Sequence, residues 1–475
     1  MKTKKIYSIL AGSLLLSTTS VSAQEMLNSG YFVEGYNYRH QLNPSFESAH
    51  KSYISFPFLG NLNVGLSSNV GVSNFIYKTS DGGLTTFLNS TVDANEFLDG
   101  LKNNNRLNVE TNIGIFSKGF HKFGGFNTID LSLKTNINTA MPYDLFAFMK
   151  QGMTGSHSEY HFEDFSMSAQ SYLELALGHS RDINEKWRVG GKLKFLIGLA
   201  HADMKVDQMD LVLSEDKWSV QGSGEMNMAV KGLKIPSKGE VNPDCDPKKA
   251  NEIELDEMDF DTPGLSGFGM AIDLGATYQF REDLQFSAAL LDLGFISWSN
   301  NTKGRLNGEP WEFNGFQDIP YDSKDENGNR KPNSIEEQID NLSDQLEDCF
   351  SFQKESENGK VTRMLGATLN LGALYTLPYY ENLKFGFLSS TRIQGKYSWS
   401  EGRFSANVAP VKWFDASVNY AVSSFGSSFG WLINFHPKGF NLFVGSDHQF
   451  FKITPQFVPV NRANANLAMG INFNF

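Results

Sequence analysis

The sequence predicts an all-β fold, a transmembrane antiparallel barrel of about 14 strands, on three observations. An export signal opens the chain. No later segment is apolar enough to make a spanning helix. Strand after strand alternates apolar with polar residues, up to an aromatic last residue.

The signal comes first. Lys2, Lys4 and Lys5 precede an apolar run from Ile6 to Leu16, and the small residues Val21, Ser22 and Ala23 follow. That order of charged, apolar and small residues is a secretory signal peptide over 1–23, too short to span a bilayer, with a mature chain expected from Gln24. Beyond it nothing approaches the roughly 20 consecutive apolar residues of a membrane helix. A mean hydropathy of -0.32 fits a barrel, in which only every second side chain meets lipid. The 39 Phe and 16 Tyr beside 43 Gly suit strands, girdles and tight turns. A net charge of -12 argues against a nucleic-acid partner, whose phosphates call for a basic face. Cys245 and Cys349 leave one disulfide open as an expectation.

The strands follow in order. Leu107, Val109, Thr111, Ile113 and Ile115 alternate with Asn108, Glu110, Asn112 and Gly114; Ile129, Leu131, Leu133 and Ile137 alternate with Asp130, Ser132, Lys134 and Asn136. Leu173, Leu175 and Leu177 alternate with Tyr172, Glu174 and Ala176, and Leu193, Phe195 and Ile197 with Lys192 and Lys194. Ile272, Leu274, Tyr278 and Phe280 alternate with Asp273, Gly275, Thr277 and Gln279, and the chain turns back at 281–283. Shorter strands are expected through 365–446, among them one carrying Lys384. The last strand sets Leu467, Met469, Ile471, Phe473 and Phe475 on one face, with Phe473 and Phe475 expected to act as the signal read by the barrel-assembly machinery. An apolar outer face and a charged inner face, with Glu110, Asp130, Lys134, Glu174, Lys192, Lys194, Asp273 and Lys384 toward the lumen, invert the plan of a soluble sandwich. Both signs are present, so the inner charges are expected to neutralise one another. The outer face makes membrane lipid the expected partner.

Connections at 71–106, 202–267 and 299–362 are long, and those between are short. The long ones are extracellular if the short turns and both termini are periplasmic. His157 and His161, four apart with Glu159 between, lack a third metal ligand. Asp325, Asn327 and Gly328 resemble the start of a calcium loop, but Ser323 and Ser334 replace its first and last carboxylates. The acidic run from Glu252 to Asp261 reads as a solvated loop. Ser334 and Glu337 make a capping box ahead of Ile335, Ile339, Leu342 and Leu346, which predicts a helix packed on the barrel mouth and ending at Cys349. Leu145, Phe146, Phe148 and Met149 form an apolar patch in an outer connection, either a greasy ligand entrance or a plug. With no nucleophile elbow, phosphate loop or paired carboxylates, neither enzyme activity, nor a cofactor, nor a metal is expected.

Three places carry a family resemblance. Asn43, Pro44 and Ser45 resemble the Asn-Pro-Ala element near the N-terminus of FadL-like hydrophobic-compound transporters and PorV-like type IX secretion proteins, Ser45 being the departure. The runs Ile272-Asp273-Leu274-Gly275-Ala276 with Leu291-Asp292-Leu293-Gly294, and Glu174 to Gly178 with Val189-Gly190 and Lys192, look like uncharacterised outer-membrane barrels of that layout. The resemblance implies a hatch over 24–61, with Asn43 and Pro44 in the lumen, and a barrel over 62–475. It also implies passive uptake of hydrophobic small molecules, or alternatively a PorV-like barrel that holds a surface or secreted protein through the loops around Cys245 and Cys349.

Overall fold

The structure is a computed structural model of the 475-residue chain. It describes residues 26–79, 82–152, 158–214, 217–306, 308, 310–315, 324, 334–448 and 464–475, so the signal segment, His157, Ser323 and the stretch with Asp325, Asn327 and Gly328 lie outside the described residues.

Period-two alternation becomes a closed wall. Among the described residues fourteen wall strands run antiparallel: β1 (Ser52–Ser55 and Leu62–Ser68), β2 (Asn104–Lys122), β3 (Gly125–Pro142), β4 (Glu159–Asp182), β5 (Trp187–Leu213), β6 (Trp218–Val230 and Gly267–Arg281), β7 (Leu284–Leu306), β8 (Phe352–Met364 and Ala367–Thr376), β9 (Leu383–Ile393), β10 (Trp399–Val411), β11 (Phe414–Ser423), β12 (Gly426–Phe435), β13 (Asn441–Ser446) and β14 (Ala465–Asn474). The last strand pairs back onto the first, Tyr53 with Asn474 and Val64 with Leu467. The sheet thus closes on itself, which is what the absence of water in hydrocarbon demands of a spanning sheet.

The exposed face is the apolar one. Phe268, Met270, Ile272 and Leu274 on β6, Phe385 and Phe387 on β9, and Val418, Tyr420 and Val422 on β11 all stand open, while the intervening Asp273, Asn419 and their like are buried. Left in water, such a surface costs about 25 cal/mol per Å². Hydrocarbon removes that cost, so the wall is a membrane-spanning barrel of the outer-membrane type. Its belt can be measured on β6. Phe268 and Tyr278 are ten residues apart on one strand; at ~3.3 Å per residue and ~40° of tilt they bracket roughly 25 Å of bilayer.

One end of the barrel is closed by short turns. Between β2 and β3, Phe123 and Gly124 both take positive φ (58° and 73°), the two-residue turn whose twist matches a hairpin. The other end carries the long connections, and there the wall does not stop at the belt. β4 and β5 stay paired as far as Glu159 with Val212, and β6 begins only five residues after β5 ends. The connection expected at 202–267 is therefore wall strand over 202–213 and 218–230, followed by an insertion over 231–266 after which β6 resumes in line. The wall itself begins at Ser52, within the stretch expected as hatch (24–61); four residues of strand before the 56–61 turn are too few to show alternation in the sequence.

Candidate functional site

The site is the filled lumen, and its floor is the N-terminal segment. Residues 26–51 enter the short-turn end with a 3-10 turn at Asn28–Gly30 and a short helix α1 (Arg39–Leu42), and they bury Leu27, Tyr31, Phe32, Val33, Tyr36, Tyr38, Leu42 and Phe46 in one core with the wall residues Leu374, Leu388, Leu432 and Phe443. Polar anchors hold this hatch. The backbone amides of Asn28 and Ser29 donate to the Asp447 carboxylate at 2.6 and 2.7 Å, Tyr38 Oη donates to Asn472 at 2.6 Å, and Arg188 Nε donates to the Ser45 carbonyl at 2.8 Å. Asn43 and Pro44 are buried inside the barrel. The Asn43 side chain accepts from the Ser45 amide at 2.9 Å, closing a tight turn, and Ser45 Oγ meets Thr277 Oγ1 of β6 at 2.6 Å.

Glycine makes room for that turn. A Cβ on Gly275 would stand 2.1 Å from Asn43 Oδ1, and one on Gly190 would stand 2.1 Å from the Pro44 carbonyl oxygen. Only a missing side chain on the inner wall permits such an approach.

Above the hatch lies a charged layer. Lys194 Nζ reaches Asp292 at 2.6 Å, Asp273 at 2.8 Å and Glu174 at 3.8 Å, and Lys134 meets Glu174 at 3.0 Å. Lys192 sits 3.4 Å from Asp130 and donates to His40 Nδ1 at 2.7 Å. From His40 a chain runs through Tyr53 Oη (2.6 Å) and Ser117 Oγ (3.1 Å) back to Asp130 (2.6 Å), closing a ring. Burial, and then the Lys192 ammonium, push the His40 imidazole down to about 3, so it is neutral and accepts from the lysine. The structure thus gathers Asp130, Lys134, Glu174, Lys192, Lys194 and Asp273 into one layer. Lys384 lies apart, paired with Glu34 of the hatch at 2.5 Å. Glu110 is also inside, by a cavity of about 10 Å³ beside Glu401 and His448, room for about one water.

Asp292 belongs to the layer although alternation misplaces it. Even-numbered residues of β7 up to Leu290 face outward, yet Asp292 points inward, because the register against β6 slips between Ile272 and Leu274 and Asp292 adopts φ 58°. This β-bulge re-aims one carboxylate at Lys194. A second group missed by the sequence reading is Arg403, which meets Glu401 at 2.8 Å and Asp447 at 3.3 Å and so ties the hatch anchor to β10. Arg403 and Glu401 share an inner-face parity, and that was the available signal.

The loop end has its own apolar core. α2 (Ala94–Leu98) and α3 (Tyr143–Gln151) bring Phe97 and Phe146 against Phe75 and Phe87, with Tyr160 and Phe162 of β4 alongside; Phe87 stacks on Phe97 with ring centres 4.3 Å apart. Of the expected patch, Phe146 is fully buried, and Leu145, Phe148 and Met149 pack partly buried around the same cluster. The patch is therefore a packed lid at the loop end as the barrel stands. Below it Trp298 stacks on His201 in a further buried layer with Tyr172 and Leu196.

The cysteines lie in this region without a bridge. Cys349 ends the expected helix, α4 (Ile335–Cys349), and is buried in the lid, where burial and Asp348 push its thiol up to about 11; Cys245 is partly exposed, and both are free thiols. The helix is not packed along its whole stripe, for Ile339 is exposed. His161 pairs with Asp210 at 2.6 Å, and Glu252 of the acidic run is buried against Lys238 at 2.5 Å. Phe473 and Phe475 face outward on and just beyond β14, where Phe475 exchanges backbone hydrogen bonds with Ser52.

On the outer wall, Gly191 leaves a shallow depression of about 420 Å³ lined by Leu177, His179, Leu193, Ile272 and Leu274. Lys192 and Asp273 also line it, while their side chains meet Asp130 and Lys194 on the inner side.

Comparison with known proteins adds little beyond this geometry. No curated protein matches the chain. Among solved structures it is similar to the Ralstonia pickettii toluene transporter TbuX, at 9% identity over 94% of this chain and 100% of that one with a TM-score of 0.42. It is also similar to the Pseudomonas putida toluene transporter TodX, at 9% identity over 96% of this chain and 94% of that one with a TM-score of 0.38. A family model spans residues 44–447, from the Pro44 turn of the hatch to the Asp447 anchor, and by that match the chain belongs to the family of unknown function DUF5723.

Proposed function

We propose that the protein is an outer-membrane barrel for passive passage of small apolar molecules, which enter at the loop-end cluster and leave sideways through the wall. In this reading the loop end faces outward and both termini face the periplasm. The supporting observation is the make-up of the lid. Phe75, Phe87, Phe97 and Phe146 come from loops and short helices, so they can part without breaking a wall ladder. An apolar guest then replaces contacts of its own kind. The axis below offers no such route, since the Lys194 group would lose its partners to a molecule that supplies none. The depression at Gly191 is the thin place for lateral release.

A second reading, a surface-interaction or secretion-accessory barrel, is favoured by the filled lumen and by the insertion at 231–266. One experiment separates the two. Small molecules are extracted from the purified mature protein and from Phe146→Asp. An apolar compound enriched in the first and lost from a folded variant supports passage. Nothing apolar in either removes that reading and directs attention to a protein partner.

A further inference from the structure

We infer that the insertion over 231–266 is a lipid-seated flap, riding in the interface of the leaflet at the loop end. It leaves β6 at Val230 and rejoins it at Gly267, where β5 offers Ala200 and Gly198 as successive partners. That level is the top of the lipid belt, since Phe268, 63% exposed, is the first outward side chain of β6 below the insertion.

The insertion lies on the outside of the wall. Ile235 and Ile253 pack on Met226, with Met204, Met228 and Phe352 beside them, and Ile253 approaches the Cβ position of Gly304. Asn227 and Ala229, of opposite parity to Met226 and Met228, join the lumen groups Asn301 and Trp298. A capping box at Ser237 and Glu240, the Lys238–Glu252 pair and a bridge from Glu252 to Gln353 fix the upper part of the flap.

Its lower part is amphipathic. Asp259–Phe260 pairs with Leu233–Lys234 as a short ribbon. Alternation there puts Met258 and Phe260 on one face and Asp259 and Asp261 on the other. Phe260 is 54% exposed and Leu265 47%, and both lie within eight residues of Phe268, where the apolar belt of β6 begins. That nearness to the belt commits the occupant to lipid. A ribbon at the belt's rim gains by setting its apolar side chains among acyl chains while its carboxylates stay in water.

The test is collision accessibility of a nitroxide in full-length barrel reconstituted in phosphatidylcholine nanodiscs, one copy per disc. In a Cys245→Ser, Cys349→Ser background, Phe260→Cys and Leu265→Cys are labelled. Phe268→Cys serves as the belt reference and Asp207→Cys as the aqueous one. Heat-modifiable migration on a gel checks that each labelled barrel is folded, and Met258→Cys replaces Phe260→Cys if that variant is not. The expected result is oxygen collisions several-fold above those of a water-soluble nickel chelate at 260 and 265, as at 268, with the reverse at 207. Labels at 260 and 265 that behave like 207 overturn the proposal. Labels shielded from both probes also overturn it, since they report a surface covered by protein.

Discussion

Lys194 has three carboxylates within 4 Å, and its own side chain is almost wholly buried. Such a group is held together by its central charge, because removing one partner leaves the others desolvated and mutually repelling. Lys194→Met is therefore expected to cost about 3–5 kcal/mol in urea unfolding of the detergent-solubilised barrel. Adding Asp273→Asn and Asp292→Asn is expected to recover most of that loss; no recovery would mean that Lys194 acts by packing alone. His40 makes a prediction with the opposite chemistry. Its imidazole is neutral in the folded hatch down to about pH 3 but titrates near 6.5 when released. Between those values the released state binds the additional proton, so hatch docking weakens as pH falls through that window, by up to about 1.4 kcal/mol per pH unit. Protease cleavage within 26–51 is expected to rise from pH 6.5 toward pH 4 in the wild type and to lose that dependence in His40→Gln. Equal pH profiles would assign the change to another group.

At the scale of elements, the hatch and the wall are fitted to one another at glycines. Gly190→Val and Gly275→Val put side chains where Pro44 and Asn43 now lie, while the outward faces of β5 and β6 are untouched. Each is expected to displace the 43–45 turn without unfolding the barrel, read as ion conductance in planar bilayers from a barrel that still migrates as folded. Conductance equal to wild type would show that the turn can shift without opening a path. Much of this was legible in the sequence, because lipid on one side and packed charge on the other enforce alternation. Of the charges named from periodicity, seven are buried, and Lys384 is partly exposed where it meets Glu34 of the hatch. Alternation fails where its cause fails. Above the belt, a register shift between Val206 and Gln208 changes the parity of β5, so Lys205, Asp207, Gln208 and Asp210 break the pattern and the strand reads as loop. Asp292 was hidden because a bulge changes parity, and Asp447 because it follows the end of β13, where no period applies.

For the whole molecule, the layers along the axis decide what kind of traffic is permitted. From the short-turn end upward there is an aromatic hatch core, then the Lys194 layer, then Trp298 with His201, then the Phe146 lid. Ions need a continuous wet path, and an apolar solute needs a continuous greasy one. The charged layer denies the second along the axis, and the aromatic layers deny the first. Passage by way of lid and wall therefore predicts a dissociation of two fluxes. Vesicles carrying the wild-type barrel are expected to take up an apolar dye several-fold faster than empty vesicles, with no rise in ion leakage. Leu193→Trp, which narrows the Gly191 depression from the lipid side, is expected to slow dye uptake alone, and deletion of 26–51 to add ion leakage. Dye uptake that appears only together with ion leakage would place the route on the axis after all and sink lateral release.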